Sequence, residues 1–444
     1  MLNGFYVMRR LPNRIATIFH RHGFARDVSV LMSGTAIAQG LTIAAAPILS
    51  RLYDPASFGI FALFTSIVSV LSVVATWRYE LAIVIPHEDD DAANIFVLAC
   101  VAALLTSAAS AFLVATGGGW IAASLGSPKL QTWLWWLPLS VAMIGFYHAL
   151  NYWSTRRRHF NRLSISQVFR SIASTGTQTS AGMAGLGATG LIGGQVAGQA
   201  MATAVLGAQV WGNDKTVVRN ALDYSKVKAL ARKYIDFPKY NSIQALVSSL
   251  SQNLPPFLLA FFFSPVAVGL YAISLRFLQL PLNLIGQSVR QVFFQRANEA
   301  DRTGDSYELL KKTTLALFAI GLVPTLAIML FGPSVIAFIL GAKWRMAGVY
   351  AQFMMPWLLI GFINTPSIMM IPIHNLQNVH MVYEVAFLLF RVGAVAAGAY
   401  MGSDVLSIAF YSVVGVIFNA ILIFYVMYHA RKRNRHAGGA RPYY

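Results

Sequence analysis

The stretch GLGATGLIGGQVAG, Gly185 to Gly198, matches G-x-G-x-x-G at Gly185, Gly187 and Gly190. A dinucleotide fingerprint needs a strand before it, an amphipathic helix after it and an aqueous crevice for the phosphates. Here apolar stretches flank the glycines on both sides. Asp214 stands at a suitable distance for a ribose contact, but it follows another apolar stretch rather than a second strand. A different account fits. Gly185 and Gly187 make a tight turn. Gly190, Gly194 and Gly198 then recur every four residues on one helical face, the small-residue spacing that lets membrane helices approach closely.

The rest of the chain supports this reading. Its 444 residues are 57% hydrophobic and 11% charged, with a mean hydropathy of +0.58, outside the usual range of soluble domains. A hydrocarbon core of about 30 Å takes about 20 apolar residues per helix. About twelve such stretches follow one another, near 28–49, 58–77, 92–115, 132–153, 163–183, 188–210, 240–262, 266–286, 312–331, 348–371, 379–400 and 405–428. No room remains for a soluble domain, and the fold expected is an all-α polytopic membrane protein.

Orientation follows from the basic residues, which gather in cytoplasmic loops near span ends. With the N-terminus inside, that side collects Arg9, Arg10, Arg14, Arg21 and Arg26, then Arg156 to Arg158 with Arg162 and Arg170. It also takes Lys215 to Lys239, Arg290 to Lys312 and Arg431 to Arg441, whereas the outer loops hold only Arg51, Lys129, Lys343 and Arg345. An even number of spans returns the C-terminus to the cytoplasm. The net charge of +18 is then a topological signal, and nucleic-acid binding is not expected. The first 25 residues lack the apolar core and small-residue cleavage site of a secretory signal. Cys100, the single cysteine, excludes an internal disulfide and acts as a small hydrophobe within the third span.

The chain repeats itself. YDPASFGIF (Tyr53–Phe61) and FSPVAVGLY (Phe263–Tyr271) share a proline and a glycine four residues apart, at an offset of 210 (263 less 53). Both copies begin on the same side of the membrane, so two lobes of six spans form a parallel repeat around a central cavity. The expected organisation is a cytoplasmic segment 1–26, an N-lobe 27–212, a basic linker helix 213–238, a C-lobe 239–429 and a basic tail 430–444. In the linker, Leu222, Val227, Leu230 and Ala231 stand apolar among Lys and Arg, as in an interfacial helix.

Polar residues within spans are costly, so they face a bundle interior or a water-filled cavity. Arg276, Gln279, Asn283, Gln287 and Arg290 follow a 3, 4, 4, 3 spacing that aligns them on one face of the eighth span. At an offset of 211 (276 less 65), Thr65, Ser72, Thr76 and Tyr79 of the second span match four of these positions in register, so two polar stripes are expected to face each other across a cavity. Glu384 and Arg391 lie seven residues apart on one face of the eleventh span, as a coupling element or a structural counter-charge. HEDDD, His87 to Asp91, reads as a solvated loop capping the third span at the positive end of its helix dipole, and no metal site or other cofactor is expected. QTWLWWLP, Gln131 to Pro138, reads as an interfacial aromatic anchor.

The run SGTAIAQGLTIAAAPILSRLYDPASFGIFALFTSIVSVLSVVATWRYELAIVIP, Ser33 to Pro86, and above all its end RYELAIVIP, resembles polysaccharide flippases of the Wzx type, in the multidrug/oligosaccharidyl-lipid/polysaccharide exporter superfamily. RFLQLP, Arg276 to Pro281, is similar to the R-x-x-x-L-P stretch of the related lipid II flippases, whose arginine lines a cationic cavity for a diphosphate headgroup. Those relatives also carry arginines in the first span, whereas Val28 to Leu49 has no charge, so the polysaccharide branch is the better match.

The resemblance implies translocation of a polyprenyl-diphosphate-linked oligosaccharide across the cytoplasmic membrane by alternating access, for surface polysaccharide synthesis. Arg276, Arg391, Arg290 and Arg78 would supply positive charge, while Gln279, Asn283, Gln287, Ser72 and Thr76 would bond sugar hydroxyls. Glu384 and Glu80 are the coupling candidates, for H+ or Na+. Membrane lipids, a polysaccharide polymerase and chain-length proteins are the other partners it suggests. No catalytic residue is expected. Two rivals share the layout or the setting. A cation-coupled multidrug antiporter would prefer intramembrane acids, of which Glu80 and Glu384 are the only good candidates. An integral-membrane glycan polymerase or ligase usually presents a large outer loop, and the outer loops here are short.

Overall fold

The computed structural model describes residues 21–303 and 305–438. Fifteen α-helices account for nearly all of them: α1 (Arg21–Leu52), α2 (Pro55–Ser72), α3 (Asp89–Ser124), α4 (Leu130–Leu134), α5 (Leu137–Arg156), α6 (Phe160–Met183), α7 (Ala188–Ala221), α8 (Tyr224–Lys233), α9 (Ser242–Phe262), α10 (Pro265–Thr303), α11 (Ser306–Leu340), α12 (Arg345–Ile363), α13 (Thr365–Ile373), α14 (Gln377–Tyr400) and α15 (Asp404–Gly438). No strand occurs among the described residues. Among the described residues eleven segments are long and apolar enough to cross a membrane, and the protein is a multi-pass membrane protein.

The fifth expected span, α6, is present as a helix of 24 residues but is too polar to pass as a span by hydropathy. Two of its glutamines are spent on neighbours. Gln167 accepts from Thr35 of α1 at 2.7 Å, and Gln178 donates to the Leu191 carbonyl of α7 at 3.1 Å. The second span stops at Ser72 rather than continuing to 77, and the tenth expected span is broken at Asn364 into α12 and α13.

The glycine stretch behaves as a turn and a seam. Gly185 and Gly187 take φ of +72° and +54°, the left-handed region open to glycine. A Cβ on Gly190 would stand 2.3 Å from the Tyr53 hydroxyl, one on Gly194 2.4 Å from Gln178 Cγ, and one on Gly198 2.8 Å from the Arg170 carbonyl oxygen. The absence of side chains on that face is what seats α7 directly on α6.

Helices pack chiefly within their own half, α1 to α7 in one and α9 to α15 in the other, and the halves meet along α2 with α9 and α10 and along α1 with α11. The connections that carry Arg156–Arg158, the 222–241 segment and His374 mark one face as basic. At the opposite face the halves are latched. Trp344 Nε1 donates to the Ser50 carbonyl at 2.8 Å, the Ser50 hydroxyl donates to the Leu340 carbonyl at 2.9 Å, and Phe58 meets Trp344 edge to face at 5.2 Å. Between α7 and α9 the chain forms α8, in which Leu230 is buried, and then a short π-helical turn, Phe237–Asn241.

Candidate functional site

The polar stripe of α10 opens into a cavity of about 160 Å³ in the C-terminal half. Gln279, Asn283 and Arg290 line it together with Trp357, Gly361 and Thr365 from the facing helices. Gly286, one turn before Arg290, leaves room on this face, since the nearest atom to a Cβ there would be Arg290 Nη1 at 3.7 Å. The break at Asn364 brings Thr365 to the cavity wall and leaves polar atoms inside. Asn364 donates to Asn419 at 2.8 Å, and its side-chain oxygen is buried without a hydrogen bond. The Gln287 side chain lies outside the described ones. Arg276 is partly buried, lies about 16 Å along α10 at 1.5 Å per residue, and is not among the residues lining this cavity.

The eleventh span does not hold the expected pair. Glu384 is half exposed and lies 3.4 Å from His380 on its own helix. Arg391, two turns further on, is enclosed by aromatic rings instead: its guanidinium carbon lies 3.6 Å from the centre of Phe387, 4.7 Å from Tyr411 and 5.2 Å from Trp357. Ring quadrupoles attract the cation and replace the carboxylate. Trp357 thus has Arg391 as one neighbour and the α10 cavity as another.

In the N-terminal half the expected second stripe ends where α2 ends. After Ser72 the chain turns through Trp77 and Arg78, with φ of +53° and +63°, into a 3-10 helix, Tyr79–Val84. Glu80 is 2% exposed there, and its carboxylate accepts the Thr76 hydroxyl and lies 3.5 Å from Arg78 Nη1. Thr76 and Arg78 are therefore engaged with Glu80, and Tyr79 donates to the Ala231 carbonyl at 3.1 Å. Thr65 and Ser72 line a separate cavity of about 290 Å³, shared with Ser69, Tyr147, His148, Arg170, Gln195 and Gln199. The two stripes open into different cavities, one in each half.

Arg170, His148, Gln195 and Gln199 are the site residues that sequence reading missed. Arg170 reads in the sequence as one of the cytoplasmic arginines, yet it lies about 15 Å along α6 from its basic end, close to the middle of a 30 Å core. The signal available was depth. Gln195 and Gln199 also carry the four-residue spacing of one helical face.

Three carboxylates at the basic face are paired with cations. Asp89, in the first turn of α3, accepts from Arg156 at 3.0 Å and Arg157 at 2.8 Å and so ties α5 to the start of α3, while among the described residues no side chain of the HEDDD stretch makes a capping hydrogen bond. Asp214 takes Arg162 at 2.7 Å and the Trp153 indole at 3.2 Å. Asp301 bridges His374 and Arg433, each at 3.2 Å. Burial holds the His374 imidazole below its ordinary pKa of 6.5, opposed by Asp301 and assisted by Arg433. By contrast Arg170, Arg276, Arg290 and Arg391 form no ion pair among the described residues. Of these, Arg290 and Arg170 stand beside amides and hydroxyls in the two cavities, an arrangement that suits an anionic, hydroxylated ligand.

Residues 48–348 match the family model described as "Polysaccharide biosynthesis protein". Comparison with the curated proteins gives no match. Among solved structures the fold is similar to an inward-facing multidrug resistance MATE family transporter of the MOP superfamily, at 14% identity and a TM-score of 0.67, over 94% of this chain and 99% of that one. It is similar to the lipid II flippase MurJ in an inward closed conformation, at 12% identity and a TM-score of 0.68, over 92% and 90%. A third, a MOP superfamily transporter from Pyrococcus furiosus with a binding pocket of reverse polarity, matches at 15% identity and a TM-score of 0.54, over 93% and 96%.

Proposed function

The chain belongs to the polysaccharide biosynthesis protein family, and from that premise we propose that it is a flippase that carries a polyprenyl-diphosphate-linked oligosaccharide across the cytoplasmic membrane. Both termini lie in the cytoplasm, and the translocated units feed surface polysaccharide such as O-antigen, capsule or exopolysaccharide. The observation that carries the reading is the α10 cavity, where Arg290, with no carboxylate partner among the described residues, stands beside the amides of Gln279 and Asn283. A guanidinium bonds phosphate oxygens through a two-pronged fork, and the amides bond hydroxyls. The polyprenyl tail stays in lipid while the headgroup is screened from it.

The lobes 27–212 and 239–429 are the moving bodies, and α8 with the turn after it is the hinge segment joining them. With the latched face taken as outward, the halves are closed against each other on the outer side. Rocking exchanges the accessible face without bond chemistry in the protein, so no enzymatic step is assigned. Glu80, buried with Thr76 and Arg78, is the better placed of the two coupling acids, for H+ or Na+. A polymerase and chain-length proteins take the product.

The test is transport by purified protein in proteoliposomes, using a fluorescent polyprenyl-diphosphate oligosaccharide. Arg290→Ala is expected to lower the rate more than tenfold, as loss of a charge-assisted bond worth about 1.5 to 3 kcal/mol requires, and Arg290→Lys to restore it in part. Efflux of a cationic dye without glycan-lipid transport would overturn the reading in favour of an antiporter.

A further inference from the structure

We propose that the cavity inside the N-terminal half binds one carboxylate-bearing sugar, of the hexuronic acid type; the flippase reading enters only as the source of that sugar, an acidic residue of the carried glycan. The two seated helices build the site. Gly198 lets α7 approach until a Cβ would stand 2.8 Å from the Arg170 carbonyl oxygen and 2.6 Å from Ser174 Cβ. That contact holds the α6 backbone at Arg170, and the guanidinium reaches the same cavity as Gln195 and Gln199, which lie one turn apart on α7. From α5 come Tyr147 and His148, and from α2 Ser69 and Ser72.

Four of the polar groups around this space keep their bonding capacity, whereas the hydroxyls of Thr65, Ser72, Ser140 and Tyr147 are engaged within the chain and that of Ser69 accepts from Asn253. The side chains of Arg170, His148 and Gln195 make no hydrogen bond within the described residues, and the Gln199 amide nitrogen has only a 3.5 Å approach to Thr203. A guanidinium at this depth is costly without a partner, and glue between helices would use its donors on carbonyls or carboxylates. The charges nearby do not neutralise it. Glu80, the carboxylate acting on His148, is already bonded to Thr76 and Arg78. One free cation surrounded by neutral donors and acceptors matches one carboxylate plus several hydroxyls. It matches a diphosphate less well, because that would leave a second charge unmet. The volume of about 290 Å³ is at the lower end of small-molecule pockets, about 300 to 1,000 Å³, so it admits one sugar ring and not a chain. Phe64 and Val196 wall the cavity with apolar surface for the carbon face of a ring.

The site differs from the α10 cavity in residues and in lobe, so the two separate experimentally. Full-length protein in nanodiscs is titrated calorimetrically with D-glucuronate, D-glucose and inorganic phosphate. Glucuronate is expected to bind, with glucose and phosphate each at least tenfold weaker. Arg170→Gln should lose about tenfold or more of the glucuronate affinity, Arg170→Lys should fall between, and Lys228→Gln, exposed on α8 and in neither cavity, should leave it unchanged. Arg170→Lys keeps the charge on α6 and serves as the readout should Arg170→Gln fail to fold. No binding of glucuronate, equal binding of glucose or phosphate, or indifference to both Arg170 variants would overturn the proposal. If Arg290→Ala abolishes transport while glucuronate binding ignores Arg170, this inference alone fails. If glucuronate binds through Arg170 but no glycan lipid crosses the vesicle membrane, the flippase reading fails and the sugar site stands.

Discussion

Gly59 and Gly269 rest on each other's helices with the symmetry of the repeat. A Cβ on Gly59 would lie 1.7 Å from the Pro265 carbonyl oxygen, and a Cβ on Gly269 would lie 1.9 Å from that of Pro55. The two prolines and the two glycines are each separated by the offset of 210 read from the sequence. The repeat is thus also a contact, placed where α2 and α10 begin, on the latched face.

Gly59→Ala or Gly269→Ala should therefore prevent this closure. The clashing atom is backbone, so relief requires the helices to part, at a cost of about 1 to 3 kcal/mol. Reduced glycan-lipid transport with folded protein retained is the expected result. Gly40→Ala, where a Cβ would meet nothing within 4 Å, is the control. Normal transport by Gly59→Ala would show that the face need not close this tightly.

Gly194 makes the equivalent close approach inside the N-terminal half, where a Cβ would lie 2.4 Å from Gln178 Cγ and 2.9 Å from the Ser174 carbonyl oxygen. Gly194→Leu should lower the thermal unfolding midpoint and the amount of folded protein, by overpacking worth about 1 to 3 kcal/mol. Gly193→Ala, on open space, should change neither. Equal yields of the two variants would remove the seam as a source of stability.

Orientation can be read from surface thiols in a Cys100→Ala background. Lys129 and Met401 are exposed on the latched face, and Lys228 is exposed on α8. Cysteines at 129 and 401 should react with a membrane-impermeant reagent in intact cells, and one at 228 should react only after the cells are opened. The reverse pattern would invert the topology argued from the basic residues.

His374, just past α13, supplies a pH test. Its folded pKa lies below the unfolded value of about 6.5, so folding opposes protonation. No penalty exists well above pH 6.5, and stability falls as the pH drops through that value towards the folded pKa. The groups facing it are Asp301, Arg433 and His429. His374→Asn should flatten the decline in unfolding midpoint measured by scanning fluorimetry between neutral and mildly acid pH. An unchanged decline would assign the acid sensitivity to other groups.

Much of the fold is legible in the residues because the bilayer leaves few options. A backbone in lipid must satisfy its own hydrogen bonds, so each long apolar run becomes a helix, and the 53–61 and 263–271 repeat reveals two halves. The turn at Gly185 and Gly187 and the seam at Gly190, Gly194 and Gly198 follow from small residues at four-residue spacing. The alignment of Gln279, Asn283 and Arg290 needed only 3.6 residues per turn.

Partners were another matter, because helical spacing says which residues share a face and nothing about what faces them. Glu384 and Arg391 lie on one face, yet Arg391 is met by rings from α12 and α15 as well as its own helix. The second stripe assumed a helix that continues, whereas the chain turns after Ser72 and places Thr76 and Arg78 on Glu80. Arg170 looked like a loop charge until α6, held against α1 and α7, placed it at mid-depth beside His148 and two glutamines. Whether a buried cation is paired, caged by rings or left open to a ligand depends on side chains that converge from distant segments, and only the packed bundle brings those together.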